Sequence, residues 1–309
     1  MSFSRKVKEE LAEQVSKARH CQIAELTALF HCCGQVVRNQ DGKFSAKFVT
    51  ENLTVARKYS ILINKAFHFH VEMTVRGHQY ILYILEPEEA FTFFQAMKLL
   101  EGKALVHDLV VQRNCCKRAF IRGLFLACGS VTDPDRGYHL ELALGTLQKA
   151  EEFIRLLGAF DVEAKCVERK KNYIVYVKEG ARIVDLLNVM GAHVALMDFE
   201  NVRILKEMRN SINRQVNCET ANIKKTVSAA TRQIEDIQYI KETSGFGMLP
   251  KGLAEMARIR LEHAEVSLKE LGQMLDPPIG KSGVNHRLRK LSAIAEEMRN
   301  GVAEKNVTD

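Results

Sequence analysis

The chain has 309 residues, 46% of them apolar and 27% charged, and its 45 Lys and Arg against 38 Asp and Glu leave a formal net charge of +7. That length suits two or three domains, and that composition excludes disorder along the whole chain. No apolar run of about 18 residues occurs and the first ten residues lack the apolar core of a signal peptide, so the expectation is a soluble intracellular chain with no membrane partner.

In chain order, a helical lead-in over residues 1–20 is followed by a helix with Ile23, Leu26, Leu29, Phe30 and Cys33 at helical spacing, ending at Gly34. Gly at that point reads as the usual C-terminal stop. Segments 35–38 and 44–50, separated by Asn39-Gln40-Asp41-Gly42, read as a hairpin, and 53–67 as a helix. Phe69, Val71, Met73 and Val75 alternate with polar residues and pair with 80–85, and 86–100 reads as helix. The same order then returns with an offset of 95 residues. Phe120, Ile121, Leu124, Phe125 and Cys128 form a helix ending at Gly129, and Tyr138, Leu140, Leu142 and Leu144 alternate in a strand. A helix over 147–157, a strand pair 162–167 with 173–177, and a helix over 181–190 complete it. The pattern is αββαββα, twice, over residues 21–191.

Residues 192–248 read as a polar helical connector with a loop-like break near Ser211–Asn222, carrying Val227, Ile234, Ile237 and Ile240 as a narrow apolar stripe. From 249 to 309 the pattern is three short helices. The first starts near Pro250. Ser267-Leu268-Lys269-Glu270 is a capping box for the second, Asp276-Pro277-Pro278-Ile279-Gly280 ends it, and a third begins near Ser282 with Val284, Leu288, Leu291 and Ala295 inward. A short turn between two such helices, the second basic, is the helix-turn-helix arrangement.

Charge is unevenly distributed. Residues 1–202 carry 27 basic and 24 acidic side chains, whereas 281–290 alone hold Lys281, Arg287, Arg289 and Lys290 with no acid. Stepping 100° per residue puts Ser282, His286 and Arg289 opposite Val284, with Asn285 and Lys290 flanking and Arg287 at the core edge, where it suits a phosphate or partner contact within the DNA-binding set. Arg289 matches guanine and Asn285 adenine in the major groove. Lys281 and Ser282 at the helix start suit backbone phosphate, and Ser267 and Lys269 complete the DNA-facing set. A solvated face of an ordinary helical bundle is the competing reading.

The eight cysteines, Cys21, Cys32, Cys33, Cys115, Cys116, Cys128, Cys166 and Cys218, include no C-x-x-C pair. Adjacent cysteines are expected to be poor joint zinc ligands, so buried reduced thiols are the expectation, with no metal and no cofactor.

The duplicated segments Ala28-Leu29-Phe30-His31-Cys32-Cys33-Gly34 and Gly123-Leu124-Phe125-Leu126-Ala127-Cys128-Gly129 resemble the paired helices of the LAGLIDADG homing-endonuclease fold. That resemblance implies an α+β domain in which two motif helices meet at a pseudo-twofold axis beneath a saddle of two sheets. Ala28, Gly123 and Ala127 would permit close approach. It also implies a metal-binding acid immediately before each terminal Gly, where this chain has Cys33 and Cys128. Thiols do not suit Mg²⁺, so these are degenerate nuclease positions and no catalytic residue is assigned. Glu25, two turns upstream, is expected to be exposed. On the saddle, basic Arg38, Lys43, Lys47, Arg76, Lys165, Arg169, Lys170 and Lys171 alternate with Glu51, Glu72, Asp133, Asp135, Glu163 and Glu168, a thin surplus for gripping DNA.

The degenerate repeat, the helix-turn-helix, the start Ser-Phe-Ser-Arg-Lys-Val-Lys-Glu-Glu-Leu at 2–11, the stretch Asn-Arg-Gln-Val-Asn-Cys-Glu-Thr-Ala-Asn at 213–222 and the segments 267–272 and 281–287 together resemble the WhiA family of sporulation regulators. The resemblance covers essentially the whole chain. It implies a DNA-binding transcriptional regulator without enzymatic activity, cytoplasmic and nucleoid-associated, bound to double-stranded promoter DNA and linked to sporulation, cell division or chromosome segregation. Two other readings stay open: a protein-interaction factor acting on RNA polymerase, another transcription regulator or the division machinery, and a metal-dependent DNA endonuclease.

Overall fold

A computed structural model describes residues 2–38, 43–100 and 104–305, with side chains to residue 300. The chain divides into two compact units, Met1–Met208 and Arg209–Asp309.

The first unit opens with α1 (Phe3–Glu13), whose N-terminus is capped by Ser2 accepting from the Arg5 N–H. The first repeat is α2 (Arg19–Cys33), β1 (Gly34–Arg38), β2 (Phe44–Thr50), α3 (Leu53–Phe67), β3 (Glu72–Arg76), β4 (Gln79–Ile84) and α4 (Pro87–Ala96). The second is α5 (Asn114–Cys128), β5 (Gly129–Val131), β6 (Leu140–Leu144), α6 (Leu147–Gly158), β7 (Lys165–Arg169), β8 (Asn172–Val177) and α7 (Gly180–Met190). Each repeat forms an antiparallel four-stranded sheet, β1-β2-β4-β3 and β5-β6-β8-β7, so the two sheets have the same topology. The αββαββα duplication is therefore present in space as well as in sequence. The expected tip Asn39-Gln40-Asp41-Gly42 lies outside the described residues. The α4 helix ends four residues before the expected position 100, with Lys98 in the left-handed region just beyond it.

The most extensively packed pair of elements is α2 with α5. Ala24, Leu26, Ala28 and Leu29 of α2 and Phe120, Leu124, Phe125 and Leu126 of α5 are all fully buried in the same core. Gly123 makes the approach possible, because a Cβ there would stand 2.6 Å from the Glu25 carbonyl oxygen and 2.9 Å from Ala28 Cβ. The glycines that end the two motif helices have a different reason from the expected left-handed stop. Gly34 and Gly129 both continue straight into strands, at φ −93° and −86°. A Cβ on them would lie 2.3 Å from the Phe30 ring and 2.4 Å from the Phe125 ring. Space under an aromatic ring, not backbone handedness, demands glycine there.

The α8 helix (His193–Thr243) runs without interruption. The loop-like break expected near Ser211–Asn222 is absent, and the reason is local: no Gly or Pro occurs between Gly191 and Gly245. Its asparagines and threonines are accommodated, Thr226 and Thr231 by bonding the carbonyls four residues back. Its start packs through Ala195 and Phe199 into the first core, and its end through Ile237 and Ile240 into the second. After a 3-10 turn (Phe246–Met248) the second unit continues with α9 (Lys251–Glu262), α10 (Leu268–Gln273) and α11 (Lys281–Lys305). Their core is Met256, Ala257, Leu271, Leu275, Val284, Leu288, Leu291 and Ala295.

Candidate nucleic-acid interface and the motif-helix ends

In the second unit, the turn between α10 and α11 is held from both sides. Ser267 and Glu270 close the expected capping box at the start of α10, at 3.4 and 3.1 Å. Gly272 then lets the chain fold back on itself. The Ile279 N–H donates to the Gly272 carbonyl at 2.9 Å, and a Cβ on Gly272 would meet the Ile279 carbonyl oxygen at 2.1 Å. The Asp276 N–H is tied to Glu255 of α9 at 3.2 Å. Val284, Leu288 and Leu291 are buried, which turns the other side of the first three turns of α11 outward.

On that side Lys281, Ser282, His286, Arg289 and Lys290 are exposed and Asn285 is half-buried; Ser267 and Lys269 on α10 are also exposed. No acid occupies the first turn of α11, so its free N–H groups and Lys281 present only positive potential. Arg287 is different. It is half-buried and donates to the Gly252 carbonyl of α9 at 3.3 Å, bracing the two helices. Arg260, which sequence patterning places only on a helix, is 3% exposed and donates to the Val266 carbonyl, holding the loop before α10.

In the first unit the C-terminal ends of α2 and α5 carry Cys32, Cys33 and Cys128, all half-buried. The contact across the axis is Cys32 with Cys128, at 3.5 Å, rather than Cys33 with Cys128. Burial pushes the Cys33 thiol up to about 12, and the bond to Cys128 together with burial holds Cys32 well above the usual thiol range. Lys8, reaching over from α1, is the nearby cation, its own pKa lowered by burial, with the Phe125 ring 5.9 Å beneath its Nζ. An open hollow of about 430 Å³ there is lined by Lys8, Cys33, Thr50, Glu51, Asn52 and Gln79 among others. Its carboxylate, Glu51, is exposed and belongs to neither motif helix. Protonated thiols beside an ammonium are a poor donor set for a hard divalent cation.

Glu25, expected to be exposed, is fully buried. Its Oε1 lies 3.1 Å from Lys58 Nζ and its Oε2 2.8 Å from Arg122 of α5. Arg122 continues to the Met190 carbonyl at 3.2 Å, and Lys58 also donates to the carbonyls of Leu11 and Gln14. Periodicity cannot find such a group, because both countercharges come from other helices. Burial lowers the Lys58 pKa, an effect that Glu25 opposes.

The N-terminal ends of the same helices hold His20 and Cys21 on α2, and Cys115 and Cys116 on α5. One ligand atom from each lies within 4.8 Å of all the others, and this is the one such group of His, Cys, Asp and Glu among the described residues. The expectation that adjacent cysteines would not share a site overlooked the partner pair brought in from 95 residues away.

A duplicated LAGLIDADG-type scaffold whose motif helices end in cysteine, carried on the same chain as a helix-turn-helix unit with a basic outer helix, defines a class of degenerate homing-endonuclease folds joined to a helix-turn-helix domain. Three domain descriptions match it in order: the WhiA N-terminal LAGLIDADG-like domain at residues 19–82, the WhiA LAGLIDADG-like domain at 117–209 and the WhiA C-terminal HTH domain at 212–295. The chain is 53% identical over 312 residues to the probable cell division protein WhiA of Lachnoclostridium phytofermentans, covering 97% of this chain and 100% of that protein. It is 47% identical over 317 residues to the protein of the same name from Alkaliphilus oremlandii, with 97% and 99% covered. Its fold matches the crystal structure of full-length WhiA from Thermatoga maritima with a TM-score of 0.61 at 27% identity, over 96% of this chain and 99% of that one. This chain belongs to the WhiA family. No helix among the described residues is long and apolar enough to cross a membrane.

Proposed function

We propose that the chain is a sequence-specific, non-enzymatic DNA-binding regulator of transcription that recognises promoter sites through α11 and acts at the nucleoid on genes of cell division. The observation that carries this reading is the outer face of the first three turns of α11, acid-free over 281–290, exposed opposite Val284, Leu288 and Leu291 and fixed by the Gly272–Ile279 turn. Arg289 and Asn285 read base edges, and His286 lies between them and the rim. Lys281, Ser282, Lys290, Ser267 and Lys269 set the register on phosphates. Arg287 supports α11 from behind. The relatives' name, probable cell division protein, favours division genes over sporulation or chromosome segregation as the regulated set. The domain limits of this reading are a helical lead-in over 1–20, a scaffold over 21–191, a connector over 192–248 and a DNA-binding module over 249–309.

The first unit is a scaffold that meets RNA polymerase or another regulator or adds weak DNA contacts. Cysteine at both motif ends, with Lys8 beside them, favours this over a nuclease. Binding to promoter fragments is compared with binding to random DNA across a salt series. Removing residues 249–309 is expected to abolish the preference for promoter fragments, and full retained preference overturns the proposal. Incubating supercoiled plasmid with Mg²⁺ or Mn²⁺ is expected to leave it uncut.

A further inference from the structure

The unexplained cluster lies at the opposite end of the motif helices from the degenerate nuclease positions. Cys21 to Cys33 and Cys116 to Cys128 each span twelve residues, about 18 Å of helix. His20 and Cys115 are equivalent under the 95-residue repeat, and so are Cys21 and Cys116. The pseudo-twofold axis that packs α2 on α5 therefore brings two ligand pairs together at one point.

The geometry is already close to that of a closed metal site. His20 Nδ1 lies 3.1 Å from Cys116 Sγ and 3.3 Å from Cys21 Sγ. All four ligand atoms fall within 4.8 Å of one another. Zinc with thiolate bonds of about 2.3 Å in a tetrahedron holds sulfurs about 3.8 Å apart, inside the 4.8 Å that bounds the four ligand atoms, and exposed Cys115 and half-buried His20 have room to adjust to it. We propose that His20 Nδ1 and the sulfurs of Cys21, Cys115 and Cys116 form a structural zinc site that clamps the two repeats together at the N-terminal ends of α2 and α5.

The donor set selects the metal. Three thiolates and an imidazole suit zinc and disfavour Mg²⁺ or Ca²⁺, and four protein ligands leave no open position for a reacting water. Binding displaces three thiol protons to solvent and leaves the site with a net charge of −1. Both helices start without a side-chain cap, at Ala18 and Arg113, so the positive ends of two helix dipoles face the thiolates. Arg113 Nη1 stands 3.4 Å from His20 Nε2, a contact that zinc on Nδ1 would break, because Nε2 would then carry a proton of its own. Because three thiols lose their protons on binding, zinc occupancy declines as protons compete at low pH. The other thiol group, Cys32, Cys33 and Cys128, has one close sulfur pair, at 3.5 Å, and an ammonium in place of further ligands.

The test uses the full chain, purified with its thiols reduced. Elemental analysis is expected to find one zinc per chain, and replacement by cobalt(II) to give the intense visible ligand-field bands and sulfur charge-transfer band of a tetrahedral thiolate site. Cys115→Ser removes an exposed ligand without opening the core. It is expected to weaken zinc binding at least tenfold and to lower the melting temperature of the zinc-loaded chain, but not that of the chelator-treated one. The double variant Cys32→Ser/Cys128→Ser is expected to keep the zinc. A reduced, folded chain that takes up neither zinc nor cobalt overturns the proposal, as does unchanged zinc binding by Cys115→Ser. A disulfide from Cys21 to Cys115 or Cys116 in protein isolated from a reducing cytoplasm also overturns it.

Discussion

The two units differ in which of their charges stand out at the surface. In Met1–Met208, Glu25, Lys58 and Arg122 are drawn into or against the core, where they tie α2, α3 and α5 together. In Arg209–Asp309 the core of α8, α9, α10 and α11 is small and chiefly aliphatic, and Lys281, Arg289 and Lys290 stand exposed outside it. Both units bury a few charges, Asp236 and Arg260 in the second among them, but the second also presents an acid-free basic stretch, 281–290, chiefly at its surface. A net charge of +7 thus says little until each group is assigned to a core or a face.

The largest test of this contrast is Glu25→Ala. It strands Lys58 and Arg122 as uncompensated buried cations and is expected to destabilise the first unit by roughly 3–5 kcal/mol, read as loss of its melting transition. A second helical core that also collapsed would break the distinction between the units.

Acid titration is next. His31, with its pKa lowered to about 4 by burial and by Lys149, takes up its proton in the unfolded chain near 6.5. The unfolded state therefore binds more protons between these values, and stability falls as the pH drops from about 6.5 to about 4, by up to roughly 3 kcal/mol. His31→Gln should flatten that part of the stability profile in denaturant titrations at several pH values.

Gly123→Ala and Gly272→Ala form a matched pair, each forcing a Cβ against a backbone carbonyl in its own unit. Each is expected to cost roughly 1–3 kcal/mol. Hydrogen exchange should locate the first loss in α2 and α5, and the second in α10 and α11.

The smallest effects on folding belong to the exposed face. Arg289→Ala is expected to leave melting unchanged while costing roughly 1–3 kcal/mol of affinity for a preferred site and relaxing base preference. Lys281→Ala should weaken all sequences alike and reduce the salt slope by about 1, measured by fluorescence anisotropy. An Arg289→Ala chain with full sequence preference would move recognition away from α11.

Most of the candidate interface was legible without coordinates, since its signals are local. The capping box at Ser267, the Pro277-Pro278 stop and the 3.6-residue spacing of Val284, Leu288 and Leu291 define which face of α11 is left outside. The same stepping placed Arg287 near the core edge but assigned it to phosphate or a partner; its bond to the Gly252 carbonyl, on another helix, has no signal in the spacing. The break proposed in α8 failed because its polar residues were read as a loop, although nothing in 193–243 obstructs a helix.

By itself, the sequence determined the duplication, the strand and helix order of both repeats, the absence of acids at the motif ends and the basic outer face of α11. These are properties of spacing and residue type over a few turns. Only the tertiary structure decided that Glu25 is a buried ion, that Cys32 rather than Cys33 faces Cys128, and that His20 and Cys21 meet Cys115 and Cys116. Each of these joins groups about 33 to 97 residues apart through the packing of helices; the motif marks Gly123 as a point of close approach, but that it meets the Glu25 carbonyl and Ala28, and so the register of α2 on α5, is decided by the packing.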